Sequence, residues 1–277
     1  MSAPKASLII SVYNDTRFLK AVLDSIKAQT FKDFEIIISE DAEHENMKTF
    51  LKDYPFENSW QHLTQEDLGW AKNRALNRAI LAAKSEYLVF IDGDCVLHPQ
   101  FMEQHLRLSR ENLVLGGKRL KLNKKLTQSF LDGTMNPSGI NRFLLLHLPL
   151  LHKKSIRYPE EGFFIAPKGF LGFIPRRRIL KNITGCNMSF SKKAIMSING
   201  FDEDYKLPAI GEDIDLIWRF QKAGYKLGSV RNLAVQYHLC HKENWVDQSL
   251  NSKMLKEKQH KGYFRCLNGI EKIQEKQ

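Results

Sequence analysis

Apolar segments alternate with amphipathic ones along the first 115 residues, and this alternation limits the possible fold more than any other feature of the chain. The apolar segments are ASLIISVY, FEIIISED and YLVFI at residues 6–13, 34–41 and 87–91, with a weaker strand pattern at 59–63. Helical spacing of apolar positions marks residues 17–30, 45–54 and 69–84. Strands that are apolar on both faces are typical of a buried parallel sheet. The pattern predicts an α/β fold, with a doubly wound, mostly parallel sheet covered by helices on both faces in a Rossmann-like manner.

The second half of the chain has three stretches of different character. Residues 116–183 contain basic segments such as KRLKLNKK and FIPRRR with little periodicity, and we interpret them as an irregular basic insertion. Order returns over residues 184–250, with a helix predicted at 212–223 that is closed by Gly224. Residues 251–277 form a charged tail. We therefore predict a single large domain over residues 1–250, followed by this tail.

Acidic side chains follow the predicted strands where ligands bind to such sheets. Asp41 ends the second strand, Asp92 and Asp94 follow the strand YLVFI, and Asn14 follows the first strand. Two carboxylates so close together repel each other, which favours a hard divalent cation beside them. The alternative is that Asp-Gly-Asp forms only a polar turn, since these residues are common in turns.

Two further groups of polar residues lie near the end of the chain. The segment GEDIDL contains Glu212, Asp213 and Asp215 at the start of a predicted helix, where acids also simply stabilise the helix dipole. The segment HLCH places His238 and His241 three residues apart at a strand end. Such a pair can bind a metal ion or can be an ordinary surface or core pair.

Composition limits the partners and the compartment. The formal net charge is +11, which favours an anionic partner such as a nucleotide, a nucleic acid or an acidic membrane surface. The four cysteines are scattered, which indicates a reducing compartment. The N-terminus lacks the pattern of a signal peptide, and the apolar run at 142–154 is too short to cross a bilayer. We expect a cytoplasmic protein without a transmembrane helix.

Taken together and in order, these motifs resemble family 2 glycosyltransferases of the GT-A fold. The resemblance extends over residues 7–245 and rests on five segments: SLIISVYNDTRFLKAVLDSIKAQTFKDFEIIISED, GWAKNRALNRAILAAKSEYLVFIDGD, TGCNMSFSKKAIMSINGFDEDY, GEDIDL and YHLCH. The GED and HxxH elements look most like those of galactosyltransferases and chondroitin polymerases. This resemblance implies a nucleotide-binding half at 1–115 and an acceptor and catalytic half at 184–250.

The resemblance also implies roles for individual residues. The uracil and ribose of a UDP-sugar would be held by Tyr13, Asn14 and Asp41, with Glu40, Lys72 and Asn73 nearby. A Mn²⁺ or Mg²⁺ ion would be bound by Asp94 and His241, with Asp92 and His238 as further candidates. Asp92 would also belong to the nucleotide site and face the ribose. Asp213 would be the catalytic base and Glu212 a ligand of the acceptor hydroxyl, while Asn187 and Asp215 would lie near the sugars.

The activity implied by this resemblance is inverting transfer of a sugar to a hydroxyl of a glycan or a lipid-linked acceptor, as in polysaccharide or lipopolysaccharide biosynthesis. Two alternatives remain at this point: a metal-dependent nucleotidyltransferase and a basic nucleic-acid-binding protein. The basic insertion is interpreted either as a peripheral contact with the inner face of a membrane or as a solvated loop over the acceptor cleft.

Overall fold

The computed structural model describes residues 3–147, 155–242 and 246–272. The strands in this part of the chain are β1 Ala6–Val12, β2 Phe34–Glu40, β3 Trp60–Leu63, β4 Tyr87–Asp92, β5 Cys95–Leu97, β6 Leu113–Gly116, β7 Leu120–Lys121, β8 Met188–Ser191, β9 Lys226–Ser229 and β10 Gln236–His238. The α-helices are α1 Thr16–Lys27, α2 Glu45–Asp53, α3 Lys72–Ala82, α4 Phe101–Leu108, α5 Lys124–Leu131, α6 Ile140–Leu146, α7 Phe173–Arg177, α8 Lys192–Ser197, α9 Ile214–Lys222 and α10 Ser249–Lys261.

Seven strands form one large sheet in the order β3-β2-β1-β4-β8-β6-β9. Neighbours pair in parallel except at β8, which is antiparallel to both β4 and β6. The predicted α/β fold with a mostly parallel sheet is therefore confirmed. The register pairs Val12 with Glu40 and Ser11 with Asp92. The segments that follow β1, β2 and β4 consequently emerge together at one edge of the sheet.

Strand β1 shows why the apolar runs are continuous. Leu8 and Ile10 belong to the core cluster that includes residues of α1, whereas Ile9 belongs to the cluster that includes residues of α3. All three side chains are fully buried. Burying such a side chain stabilises a fold by roughly 1.5–3 kcal/mol, so both faces of the strand favour apolar residues.

A small second sheet, in the order β5-β10-β7, lies beyond the end of β4. Strand β10 pairs antiparallel with β5, placing His238 opposite Cys95. It pairs in parallel with β7, placing His238 opposite Lys121. The segment HLCH, which the sequence placed at a strand end, is thereby brought beside Asp94, and His238 is the last residue of β10.

The basic insertion is more regular than the sequence indicated. It contains β7, α5, α6, a 3-10 turn at Pro159–Glu161 and α7. The apolar run predicted at 142–154 is described only as far as residue 147, and the rest lies outside the described residues. Within the described ranges, every helix is too short or too polar to be a membrane span.

The C-terminal segment packs against the domain rather than extending from it. Lys258 of α10 pairs with the buried Asp202 and, at 2.6 Å, with Asp204. The Asn199 side chain donates hydrogen bonds to the carbonyl oxygens of Cys266 and Glu271. As far as residue 272, the predicted tail is thus an ordered support for the loop after α8.

Candidate active site

A cleft of about 700 Å³ lies at the carboxyl edge of β1, β2 and β4. Its lining comprises Ser11, Val12, Tyr13, Asn14, Asp15, Phe18, Asp41, Gly69, Trp70, Lys72, Asp92, Gly93, Asp94, His241 and Lys242. Seven of the residues predicted from the sequence to bind nucleotide or metal therefore line one cleft. This is the position at which open α/β sheets bind ligands.

One end of the cleft is formed by Tyr13 and Asp41. The Tyr13 hydroxyl donates a hydrogen bond to Asp67 (2.8 Å). The Tyr13 side chain is half exposed and lines the cleft. Asp41 is almost fully buried and accepts hydrogen bonds from the backbone amide of Ala71 (2.9 Å) and the side chain of Gln65 (2.7 Å). Burial raises the pKa of Asp41. The cleft thus offers a flat aromatic ring and a fixed polar group at this end.

The other end carries a cluster of one carboxylate and two imidazoles. Asp94 Oδ2 lies 3.2 Å from His238 Nε2 and 3.0 Å from His241 Nε2. Burial opposes ionisation of Asp94, but the hydrogen bonds from both histidines hold its pKa well below the usual range. The three ligand atoms lie within 4.8 Å of one another. An oxygen and two nitrogens in this arrangement fit a divalent metal ion.

Asp92, two residues before Asp94, has a different environment. Its carboxylate pairs with Lys72 Nζ at 2.8 Å and with Arg119 at 3.5 Å. Lys72 also pairs with Glu212 at 2.6 Å. Burial opposes the charge of Lys72, but Asp92 and Glu212 raise its pKa well above the usual value. Lys72 therefore connects the cleft to the GED segment.

Asp92 also approaches two thiols. Its carboxylate oxygen and the Sγ atoms of Cys95 and Cys186 lie within 4.8 Å of one another. The guanidinium of Arg119 is close to both Cys186 (3.3 Å) and Asp92. The guanidinium of Arg119 thus supplies a positive charge beside Asp92, whereas the Asp94 cluster contains two histidines instead.

Asp213 directly precedes α9. Its Oδ1 accepts a hydrogen bond of 2.5 Å from the backbone amide of Gly185, in the segment that leads into β8. Burial, together with the neighbouring charge of Glu212, raises the pKa of Asp213 to about 7. A carboxylate with a pKa close to neutral pH is well suited to accept a proton as a general base.

Two residues predicted near the nucleotide do not reach the cleft. Glu40 is fully buried and pairs with His44 (2.8 Å) and His62 (2.7 Å). Asn73 is buried on α3 and donates a hydrogen bond to the carbonyl oxygen of Asp202 (2.7 Å). Both side chains bond to interior partners, and neither lines the cleft in this structure.

The same holds for two residues predicted near the sugars. Asp215 is fully buried and pairs with Arg219 at 2.6 Å, one helical turn away. Asn187 is fully buried as well and bonds to His105 and to the carbonyl oxygens of Lys118 and Ala234. These two predictions are not supported by the structure, because neither side chain is accessible to a substrate.

Two basic residues beside the site were not singled out from the sequence. Arg119 contacts Asp92, and the ammonium group of Lys118 lies 3.3 Å from the Thr184 hydroxyl, one residue before Gly185. The segment KRLKLNKK had indicated only a general positive charge. Its placement depends on β7 joining β10 in the small sheet, and no local pattern signals that long-range pairing.

Two family models match the chain, and together they cover most of it. The model of the family described as glycosyl transferase family 2 matches residues 7–197, more than half of the chain. A second model, described as the N-terminal domain of galactosyltransferase, matches residues 175–242. The two matches overlap at the segment that carries Gly185 and Asn187.

The chain is similar both to curated proteins in sequence and to solved structures in fold. The chain is 26% identical to the chondroitin synthase of Escherichia coli over 254 residues, which is 88% of this chain and 36% of that protein. It spans about a third of the length of the first curated relatives that it matches. A mannosyltransferase from Pyrobaculum calidifontis, solved with GDP-Man and Mn²⁺, aligns with a TM-score of 0.55 and 15% identity, covering 95% of this chain and 63% of that one. The S. aureus TarS fragment solved with UDP-GlcNAc gives 0.55 and 14%, covering 87% and 60%. These structures establish the GT-A fold for the chain.

Proposed function

Because this chain belongs to glycosyl transferase family 2, we propose that it transfers a sugar from a UDP-sugar to a hydroxyl group of a glycan or lipid-linked acceptor, with a divalent metal ion and with inversion at the anomeric carbon. The observation that carries the proposal is Asp213, a carboxylate with a pKa of about 7. It connects through Glu212 and Lys72 to the cleft that ends in the Asp94 cluster. Family membership favours this activity over nucleotidyl transfer or nucleic-acid binding.

In this proposal the donor occupies the cleft between Tyr13 and the Asp94 cluster. Tyr13, Asn14 and Asp41 contact the uridine, and Asp92 faces the ribose. Asp94, His238 and His241 would hold a Mn²⁺ or Mg²⁺ ion, which would neutralise the charge that develops on the leaving diphosphate. The mannosyltransferase of similar fold was solved with Mn²⁺, which supports this choice of ion.

The remaining chemistry falls to side chains of the GED segment. Asp213 accepts the proton of the acceptor hydroxyl, and Glu212 binds and orients that hydroxyl. The hydrogen bond from Gly185 fixes the orientation of the Asp213 carboxylate. This lowers the entropy that must be lost to reach the transition state. One base lies on the side of the sugar opposite the leaving group, so the reaction is a single displacement. A single displacement inverts the anomeric centre. Inverting glycosidases use the same arrangement, with two carboxyl groups on opposite faces of the sugar.

A donor screen tests the proposed function. Each UDP-sugar is incubated with the protein and Mn²⁺, released UDP is measured, and the anomeric configuration of any product is read by NMR. We expect release from one or a few donors, abolished by a chelator. Release of pyrophosphate from a nucleoside triphosphate would instead support the nucleotidyltransferase alternative, and a retained configuration would contradict the single displacement.

The pH dependence provides a separate prediction for Asp213. Its raised pKa means that the carboxylate is protonated below about pH 7, so kcat/KM should fall as the pH drops through this region. The charge of Glu212 contributes to the raised pKa. In Glu212→Gln, we therefore expect the acidic limb of the residual activity to move to lower pH.

The control for this shift is Glu45→Gln, which removes an exposed carboxylate on α2. Its profile should match that of the wild-type protein. An acidic limb that stays in place in Glu212→Gln would show that a group other than Asp213 controls it.

We further propose that the protein is cytoplasmic and contacts the inner face of the membrane through the segment around α7. Phe170 is 95% exposed and Ile179 75% exposed, and Arg176 and Arg177 lie between them. Apolar and cationic side chains side by side suit an anionic lipid surface.

In co-sedimentation with anionic liposomes, we expect Phe170→Ser with Ile179→Ser to reduce the bound fraction severalfold. Leu81→Ser, which removes an exposed leucine of α3, should leave it unchanged. Equal binding of all three proteins would contradict this contact.

A further inference from the structure

A second cavity, of about 530 Å³, lies beside Asp213 and has no use in the mechanism above. It shares no lining residue with the nucleotide cleft among the residues that the structure describes. Five basic side chains line it: Lys118, Arg119, Lys121, Lys181 and Arg231. We call it the basic pocket.

The basic pocket opens on the acceptor side of the proposed site. Thr184 lines it and lies 3.3 Å from the ammonium group of Lys118. The next residue, Gly185, holds the Asp213 carboxylate through its backbone amide. Arg119 joins the pocket to Asp92 in the nucleotide cleft. The basic pocket is therefore linked to Asp213 through Thr184 and Gly185, and to the nucleotide cleft through Arg119.

Among the described residues, the basic pocket is lined by five cationic side chains and two carboxylates. Of its two carboxylates, Glu161 is already paired with Arg178 and Arg231, and Glu160 is exposed. In the described ranges, neither Lys118 nor Lys181 has a carboxylate within ion-pair distance. Burial lowers the pKa of Lys118, which shows that its ammonium group is partly removed from water. Asp213 and Glu161 act on this ammonium group only at longer range. A half-buried cation that lacks a direct anionic partner is stabilised when a ligand supplies one.

We propose that the basic pocket binds an anionic group, a carboxylate or a phosphate, of the acceptor glycan. This inference rests on the proposed function, since it assigns the acceptor to the side of Asp213 opposite the donor. Both kinds of group accept charge-assisted hydrogen bonds from lysine and arginine, and the pocket offers these donors from several directions.

A third cavity extends the same charge. It has a volume of about 640 Å³, shares Lys121 with the basic pocket, and is also lined by Lys124, Lys125 and Arg157. Cations thus continue from the Asp213 side towards the histidines of the Asp94 cluster. An acceptor with anionic groups on successive sugar units suits this continuous basic surface.

Binding of matched oligosaccharides tests the inference. The protein is saturated with UDP and Mn²⁺, and affinities are measured by ligand-observed NMR for a glucuronate-terminated oligosaccharide, its neutral methyl ester, a glycosyl phosphate and its dephosphorylated form. We expect the uronate or the phosphate to bind at least about tenfold more tightly than its neutral counterpart, since charge-assisted hydrogen bonds are stronger than neutral ones. A preference for the uronate over its ester would identify a carboxylate as the anionic group, and a preference for the glycosyl phosphate would identify a phosphate.

Lys118→Gln with Lys181→Gln should remove that preference, so that each charged sugar binds no more tightly than its neutral counterpart. The matched control, Lys52→Gln with Lys226→Gln, removes two exposed lysines elsewhere and should retain it. Equal binding of charged and neutral sugars, or a preference that survives in the double variant, would overturn the inference. Binding of UDP in the same samples separates the two proposals, because failure to bind UDP with Mn²⁺ would contradict the proposed function itself.

Discussion

Replacing Asp213 with asparagine is expected to lower turnover by about 10³-fold, within the range that loss of a general base produces. The variant should bind UDP in the presence of Mn²⁺ with nearly unchanged affinity, because the cleft between Tyr13 and the Asp94 cluster does not include residue 213. Single-turnover kinetics and calorimetry with UDP measure the two quantities independently. Near-normal turnover would show that Asp213 is not the base.

Lost turnover in the asparagine variant could also result from misfolding. The raised pKa of Asp213 predicts that this variant is not destabilised. The unperturbed value is 3.8 and the value in the folded protein is about 7, so ionised Asp213 opposes folding above neutral pH. The asparagine variant should therefore be at least as stable as the wild-type protein at pH 8, with a smaller difference at pH 5. Asp204→Asn, an acid outside the cleft, is the control for transfer and should retain activity.

Replacing Asp94 with alanine is expected to remove metal and nucleotide binding together. Asp94 is the carboxylate that both His238 and His241 contact, and without it the cluster loses its negative charge. Loss of even an outer partner of a metal ligand costs 10–100-fold in affinity, so we expect a reduction of at least about 100-fold for Mn²⁺. UDP affinity measured with Mn²⁺ should fall with it. Unaltered Mn²⁺-dependent UDP affinity by calorimetry would exclude Asp94 from the metal site.

Asp92→Asn provides the sharpest comparison for Asp94→Ala. Because Asp92 is already paired with Lys72 and Arg119, its replacement should leave most of the Mn²⁺ affinity in place. Asp53→Ala, which removes an exposed acid of α2, controls for loss of net charge. If the two cleft variants lose Mn²⁺ equally, the two aspartates share the ion, and the division of roles inferred from the ion pairs is wrong.

The parallel strands β1, β2 and β4 could be predicted because each is buried on both faces, which leaves a continuous apolar run in the sequence. Ile9 and Ile10 illustrate this, since they face different core clusters and are both fully buried. The antiparallel strand β8 has no comparable signal. Its place between β4 and β6 depends on pairings with residues about 100 and 75 positions away, which local patterns do not encode.

Some residues of the site could also be placed from local sequence patterns, and others could not. Asp41, Asp92 and Asp94 could be placed because they follow strands directly, and the edge of a parallel sheet brings such positions together. Asp213 and Asp215 could not be distinguished in this way, since both are acids at the start of one helix. Arg219, four residues after Asp215, was the available signal, because an acid and an arginine at this spacing meet on one face of a helix.

The buried pair of Asp215 and Arg219 affects how variants of this protein should be scored. Arg219 also donates hydrogen bonds to the carbonyl oxygens of Ile198 and Gly200, so the pair anchors the helix that follows Asp213 to the loop after α8. Breaking such a pair costs about 3–5 kcal/mol, a large part of the 5–15 kcal/mol that stabilises a typical domain. A mutational survey that records only product formed per culture would therefore assign Asp215 to catalysis. A survey that divides product by the amount of soluble protein would separate Asp215, whose loss lowers yield, from Asp213, whose loss lowers the rate of each folded molecule.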